Sequence, residues 1–133
     1  MDRRELMELF NKYPRIGALA TANREGDVNV AVFGSPRMVD ENTVVMGIGN
    51  NRSYRNLQRN PKAVFIVMEL GETVMDWKGA RVYLEAVDLV NEGEFYDQII
   101  QHITKSSGVQ AAKMIQAAIR FKITEVRPIV DRG

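Results

Sequence analysis

A run of polar residues between two predicted elements is the part of the chain best suited to binding chemistry. Its members are small, amide-bearing, hydroxyl-bearing or basic: Gly49, Asn50, Asn51, Arg52, Ser53 and, one helical turn later, Asn56. A helix that begins in such a turn presents free backbone N–H groups, a hydroxyl and a guanidinium at one place, and together these can bind a phosphate. Asn and Ser also cap helices where no ligand is bound. The segment therefore predicts either a phosphate site or an ordinary helix cap.

A glycine close to the end of an alternating segment marks a second candidate site. The residues concerned are Val32, Phe33, Gly34 and Ser35. Glycine in a strand often marks a bulge, or a place where a flat group approaches the backbone closely. These residues predict either a bend at the end of a strand or a surface on which a planar ring packs.

Two further residues could do chemistry. The single tryptophan, Trp77, precedes Lys78 in a loop; it is either a partly buried loop aromatic or an interface residue that stacks on a planar ring. The single histidine, His102, lies among isoleucines at helical spacing. We expect it to face solvent or to be satisfied locally, because no carboxylate is placed by sequence to orient it.

Composition narrows the classes of chemistry. The chain has 133 residues, 18 basic and 17 acidic side chains and a net charge of +1, which gives no electrostatic reason to expect nucleic acid or an anionic membrane as partner. It lacks cysteine and has one histidine, so thiolate catalysis, iron–sulfur clusters and histidine-rich metal sites are not expected. No apolar run resembles a signal core or a membrane span, and we expect a single cytoplasmic domain over residues 1–133.

The elements that must position these residues are mostly strands. Apolar or alternating segments predict six of them: Ile16–Ala22, Val28–Phe33, Thr43–Ile48, Ala63–Leu70, Ala80–Val90 and Ile119–Val126. Helical spacing predicts four helices: 2–13, Ser53–Arg59, Glu92–Lys105 and Val109–Ala118. We assign Tyr54, Arg55 and Arg59 to the exposed face of the second helix. The first three strands follow one another too closely for helical crossovers, which predicts a mainly β (α+β) fold: a six-stranded antiparallel barrel with flanking helices.

The order and spacing of two segments, NVAVFGSPR (Asn29–Arg37) and GNNRSYRNLQRNP (Gly49–Pro61), resemble a known family. The chain is similar to the short members of the pyridoxamine 5′-phosphate oxidase-like FMN-binding split-barrel proteins. The resemblance implies a split barrel and a homodimer with FMN at the subunit interface. It also implies that the FMN phosphate lies at Arg52 and Ser53 with Asn56 nearby, and that the flavin ring runs along Val32–Ser35. A segment that matches Trp77–Gly79 comes from the other subunit.

The resemblance leaves the reaction open. The oxidases of the family carry basic residues for a substrate phosphate where this chain has Ala31 and Pro36, and they end in a Trp- and Arg-containing segment where this chain has RPIVDRG. We therefore expect an FMN-dependent oxidoreductase that acts on an unidentified small molecule, with a nicotinamide as a candidate electron donor. The alternatives are a non-catalytic flavin-binding electron carrier or sensor, and a deazaflavin-dependent reductase.

Overall fold

In the computed structural model, which describes residues 1–131, one antiparallel sheet of seven strands forms the body of the molecule. The strands are β1 (Ile16–Ala22), β2 (Val28–Val32), β3 (Arg37–Asp40), β4 (Thr43–Ile48), β5 (Lys62–Glu69), β6 (Lys78–Val90) and β7 (Ala117–Arg127). The helices are α1 (Arg3–Asn11), α2 (Arg52–Arg59), α3 (Glu94–Ser107) and α4 (Val109–Lys113), with one 3₁₀ turn over Val74–Asp76. None of the helices in residues 1–131 is long and apolar enough to cross a membrane.

The sheet order is β2-β1-β5-β6-β7-β4-β3, which places β2 and β3 at its two edges. Only residues 33–36 join these strands, so the two edges of the sheet come together where the chain passes from one to the other. Helix α2 leaves β4 and packs against β1 and β2. The short connection and this helix together make the region where the edges meet the natural place for a site.

The alternation of side chains along β4 separates two cores. Val44, Met46 and Ile48 point into the interior of the sheet, where they pack with large buried side chains such as Phe65 and Phe121. Val45 points to the opposite face and joins a second cluster under α3 and α4. The predicted barrel is therefore an open sheet in the structure, its two edge strands being unpaired with each other, and the core that it surrounds is filled by the protein's own side chains.

The antiparallel sheet with flanking helices was predicted, but the number of strands was not. The prediction passed over β3, because four residues after Pro36 are too few to reveal a period and only Met38 is buried among them. The Asn11 side chain fixes this strand by accepting from the Met38 N–H and donating to its carbonyl, both at 2.8 Å.

Three local predictions were wrong. The strand predicted as Val28–Phe33 ends at Val32, because the chain bends at residue 34 to reach β3. The helix predicted as Val109–Ala118 ends at Lys113, because the following residues enter β7 and pair with β4. Tyr54, assigned to the exposed face of α2, is buried in the main core with Leu57.

Candidate functional site

A cavity of about 650 Å³ opens where the edges of the sheet meet. Its walls come from the end of α1, the β2–β3 connection, β4 and the end of α3. Five of the predicted site residues line it: Val32, Phe33, Gly34, Ser35 and Gly49. The volume is within the range of small-molecule pockets. Of the candidate segment that begins at Gly49, only Gly49 reaches the cavity; Asn50, Asn51, Arg52, Ser53 and Asn56 do not line it.

The start of α2 lies immediately beyond Gly49 and offers free hydrogen-bond donors. Asn51 is the N-cap, and its Oδ1 accepts from the Tyr54 N–H at 2.9 Å. Within residues 1–131 the N–H groups of Arg52 and Ser53 have no backbone partner. The Arg52 side chain is exposed, beside the positive end of the helix dipole. The cap predicted from sequence is present, and it leaves two N–H groups and a guanidinium available for an anion.

Ser53 and Asn56 are buried and tie α2 to the sheet. The Asn29 amide donates to Ser53 Oγ at 3.2 Å, so the serine hydroxyl keeps its own hydrogen for another acceptor. The Asn56 amide donates to Thr21 Oγ1 at 3.0 Å. Asn56 therefore has a structural contact of its own, and its direct contact with a phosphate stays a prediction.

The β2–β3 connection presents backbone donors to the cavity. The Phe33 N–H is occupied by the Gly17 carbonyl at 3.1 Å, and Ser35 Oγ donates to the Gly47 carbonyl at 2.8 Å. Within the described residues the N–H groups of Gly34 and Ser35 have no backbone partner. A Cβ at Gly34 would come within 2.7 Å of the Tyr13 hydroxyl. The absence of a side chain at residue 34 therefore keeps this wall of the cavity open.

Arg15 joins two of the segments that line the cavity. Its Nε donates to the Phe10 carbonyl at 3.0 Å and its Nη2 donates to the Pro36 carbonyl. The guanidinium also lies 5.4 to 5.7 Å from the ring centroids of Phe10, Tyr13 and Phe65. Burial lowers the pKa of Arg15, but a guanidinium stays charged at neutral pH. With these two hydrogen bonds, Arg15 ties the end of α1 to the segment between β2 and β3.

A group of polar residues at the cavity was not predicted from sequence: Arg37 on β3, and His102, Ser106 and Ser107 on α3. Burial, followed by the positive charges of Arg37 and Lys105, lowers the pKa of His102, so its imidazole is neutral at neutral pH. The spacing of His102 and Ser106, four residues apart on one helix face, is the one signal that could have suggested the group.

Trp77 and Lys78 do not line this cavity. Trp77 is half-buried, its indole N–H donates to the Gly71 carbonyl at 3.2 Å, and it borders a separate depression next to Pro128. Lys78 is exposed at the start of β6. Their contact with a cofactor stays a prediction that requires a second copy of the chain. Among residues 1–131 there is also no group of three or more His, Asp or Glu side chains that could hold a metal ion.

The arrangement suits a planar ring that carries a phosphate, such as FMN. The cavity and its free N–H groups would accept the polar edge of a ring, and the start of α2 would accept the phosphate.

A family model described as pyridoxamine 5′-phosphate oxidase matches residues 4–129. No curated protein matches the chain.

Several solved structures share the fold. An FMN-binding protein from Syntrophomonas wolfei subsp. wolfei has a TM-score of 0.83 and 27% identity, covering 98% of this chain and 90% of that chain. HutZ, the heme storage protein from Vibrio cholerae, has a TM-score of 0.68 and 20% identity over 100% of this chain and 93% of that chain. An F420 reductase has a TM-score of 0.66 and 17% identity over 92% and 94%. The second and third likenesses show the fold alone.

Proposed function

The chain belongs to the pyridoxamine 5′-phosphate oxidase family, and we propose that it is an FMN-binding oxidoreductase that acts on a small organic molecule. The observation that carries the proposal is the position of the cavity beside the start of α2, where two N–H groups and the Arg52 guanidinium have no partner among residues 1–131. Its likeness to an FMN-binding protein at 27% identity supports the choice of cofactor.

In this proposal each segment of the site has its own task. Arg52, Ser53 and the free N–H groups hold the phosphate, and Gly49, Asn50 and Asn51 shape the turn that presents them. Val32 and Phe33 flank the ring, while the N–H groups of Gly34 and Ser35 donate to its electron-rich edge and stabilise negative charge there. Bound FMN supplies the hydride and electron chemistry for which the side chains of this protein are poorly equipped.

The proposal includes a homodimer that covers the cofactor. Cross-strand pairs on the outer face of β1 and β2 are Ala18 with Val32, Ala20 with Val30 and Ala22 with Val28. The three valines are 79%, 68% and 80% exposed, and α3 and α4 pack over β4 and β7 instead. A continuous apolar face of this kind marks an interface, and a second copy of the chain would bring Trp77 and Lys78 to the cofactor.

Two alternatives keep the same pocket. A flavin-binding carrier or sensor would bind FMN without turnover of its own. A deazaflavin-dependent reductase would bind its cofactor at the same place, and the fold is shared with an F420 reductase.

Anaerobic addition of NADH or NADPH to the purified, FMN-loaded protein tests the oxidoreductase. We expect bleaching of the flavin absorbance that is much faster than for free FMN, and its return when air is admitted. Bleaching no faster than free FMN with both nucleotides would contradict a nicotinamide-dependent oxidoreductase and favour the carrier. Identification of the released chromophore distinguishes FMN from a deazaflavin or a heme.

A further inference from the structure

The polar rim of the cavity carries positive charge without a carboxylate to balance it. Its 18 lining residues include Arg15, Arg37 and His102 but no Asp or Glu. Arg15 is committed to the Phe10 and Pro36 carbonyls. Arg37 is half-buried, and within residues 1–131 no carboxylate lies at ion-pairing distance from it. Of the two arginines at the cavity, Arg37 is therefore the one with no side-chain hydrogen bond or ion pair among residues 1–131, which makes it the better placed to bind an anion.

The end of α3 faces this guanidinium with neutral hydrogen-bond donors. His102 and Ser106 are four residues apart, which places them on one face of the helix. The Ser106 hydroxyl makes only long contacts, 3.5 Å to the Ile103 carbonyl and 3.4 Å to Ser107 Oγ, so it is free to turn towards a ligand. The free carbonyl groups at the C-terminal end of α3 carry partial negative charge and repel an anion. The full positive charges of Arg37 and Lys105 outweigh this repulsion.

Much of the remaining lining is apolar. Phe10, Phe33, Ile103, Ala111 and Ile115 line the same cavity. A ligand that contacts these side chains as well as Arg37 has an apolar body and an anionic group. The two parallel N–H groups of a guanidinium match the two oxygens of a carboxylate, and His102 and Ser106 would add neutral donors.

We propose that this cavity binds a small aromatic or similarly flat carboxylate, with Arg37 holding the carboxylate and His102 and Ser106 donating to it. The proposal rests on the proposed function, because Val32–Ser35, which line the same cavity, are the residues we assign to the flavin ring. The carboxylate would thus be the class of organic molecule that meets the flavin.

Equilibrium binding to the FMN-loaded protein tests this with three probes of one shape: benzoate, its neutral isostere benzamide, and phenyl phosphate. We expect benzoate to bind at least tenfold more tightly than either of the others. Arg37→Gln should weaken benzoate binding about tenfold and leave benzamide unaffected, since it removes one charge-assisted contact. Ser106→Ala should cause a smaller loss. Arg4→Gln, on the exposed face of α1 away from the cavity, is the matched control and should bind benzoate as the original protein does.

Equal affinity for benzoate and benzamide, tighter binding of phenyl phosphate, or an unchanged benzoate affinity in Arg37→Gln would overturn the inference. The FMN affinity of each variant is measured separately by quenching of flavin fluorescence. This measurement distinguishes a failure of the carboxylate site from a failure of FMN binding. Tight FMN binding without preference for benzoate removes only the carboxylate site. Failure to bind FMN removes the proposed function, and benzoate selectivity of the FMN-free protein then decides the anion site alone. A far-ultraviolet circular dichroism spectrum shows that Arg37→Gln is folded, and Arg37→Lys, which keeps the charge, should recover part of the lost affinity.

Discussion

At the scale of single residues, Arg52 is the side chain on which the proposed phosphate binding most depends. It is exposed at the first position of α2, next to N–H groups without partners in the described chain. Replacing it with alanine removes one charge-assisted contact to the phosphate. We expect Arg52→Ala to weaken FMN binding by about 1.5–3 kcal/mol, measured by titration with FMN.

Arg55 provides the control for this measurement. It is exposed on the same helix but lies one turn later, and its N–H is already bonded to the Asn51 carbonyl at 3.1 Å. Arg55→Ala removes the same charge without removing a group from the helix start. Equal losses in Arg52→Ala and Arg55→Ala would mean that only the net charge of the helix matters; no loss in either would exclude Arg52 from the site.

How far the sequence predicts a residue's place depends on whether its contacts are local. A helix cap was one of two interpretations of the segment around Asn51, and it could be recognised because the contact that Asn51 makes, to Tyr54, is three residues away. The environments of Arg15 and Arg37 depend on chain segments that meet only in the folded sheet, such as the bond from Arg15 to Pro36. His102 was expected to face solvent or to be satisfied locally; it is exposed, but at the rim of a cavity whose other walls come from α1 and the β2–β3 connection.

At the scale of elements, the β2–β3 connection decides whether the cavity can hold a ring. We expect Gly34→Ala to weaken FMN binding at least tenfold with little effect on the free energy of unfolding of the FMN-free protein. Gly34 lines the cavity, so the added methyl would occupy space at the proposed ring site; among the described residues its one neighbour within 4 Å is the hydroxyl of the exposed Tyr13, which can move. Fluorescence titration and urea unfolding measure the two quantities.

A second variant separates a clash with the protein from a clash with the ligand. Tyr13→Phe removes the hydroxyl that lies 2.7 Å from the added Cβ. If Gly34 matters because a ring packs on it, adding Tyr13→Phe to Gly34→Ala does not restore FMN binding. Full recovery in the double variant would show that the methyl acts only through Tyr13, and the connection would lose its assigned role.

The elements themselves were predictable in proportion to their length and regularity. The apolar run Thr43–Ile48 identified β4, with the predicted bounds. The alternation of valines in β2 also identified a strand, but it could not show that those valines face outward, because burial depends on where the sheet closes and not on the period. The short strand β3 carries no period at all and owes its place to the Asn11 side chain.

At the scale of the whole molecule, the outer face of β1 and β2 exposes apolar side chains that a second subunit would bury. If the proposed homodimer forms through this face, we expect Val30→Asp to convert it to a monomer and to weaken FMN binding, because a carboxylate buried in an apolar interface is not compensated. Val30 is 68% exposed in the single chain, so its fold should survive the change. Analytical ultracentrifugation followed at a wavelength that the flavin absorbs reports the mass of the protein and whether FMN sediments with it.

The opposite edge of the sheet supplies the matched variant. Val39 on β3 is 42% exposed and lies outside the face formed by β1 and β2. Val39→Asp should sediment as a dimer with its flavin. A Val30→Asp protein that stays dimeric would show that this face is not the interface. A monomeric Val30→Asp protein that still binds FMN tightly would show that FMN binding does not require a second subunit.

The most direct measurement is titration of the FMN-free, folded protein with FMN. We expect saturable binding of one FMN per chain, with quenched flavin fluorescence and a purified protein that is yellow before the cofactor is removed. A colourless protein that is folded by circular dichroism and leaves the fluorescence of added FMN unchanged would contradict this expectation.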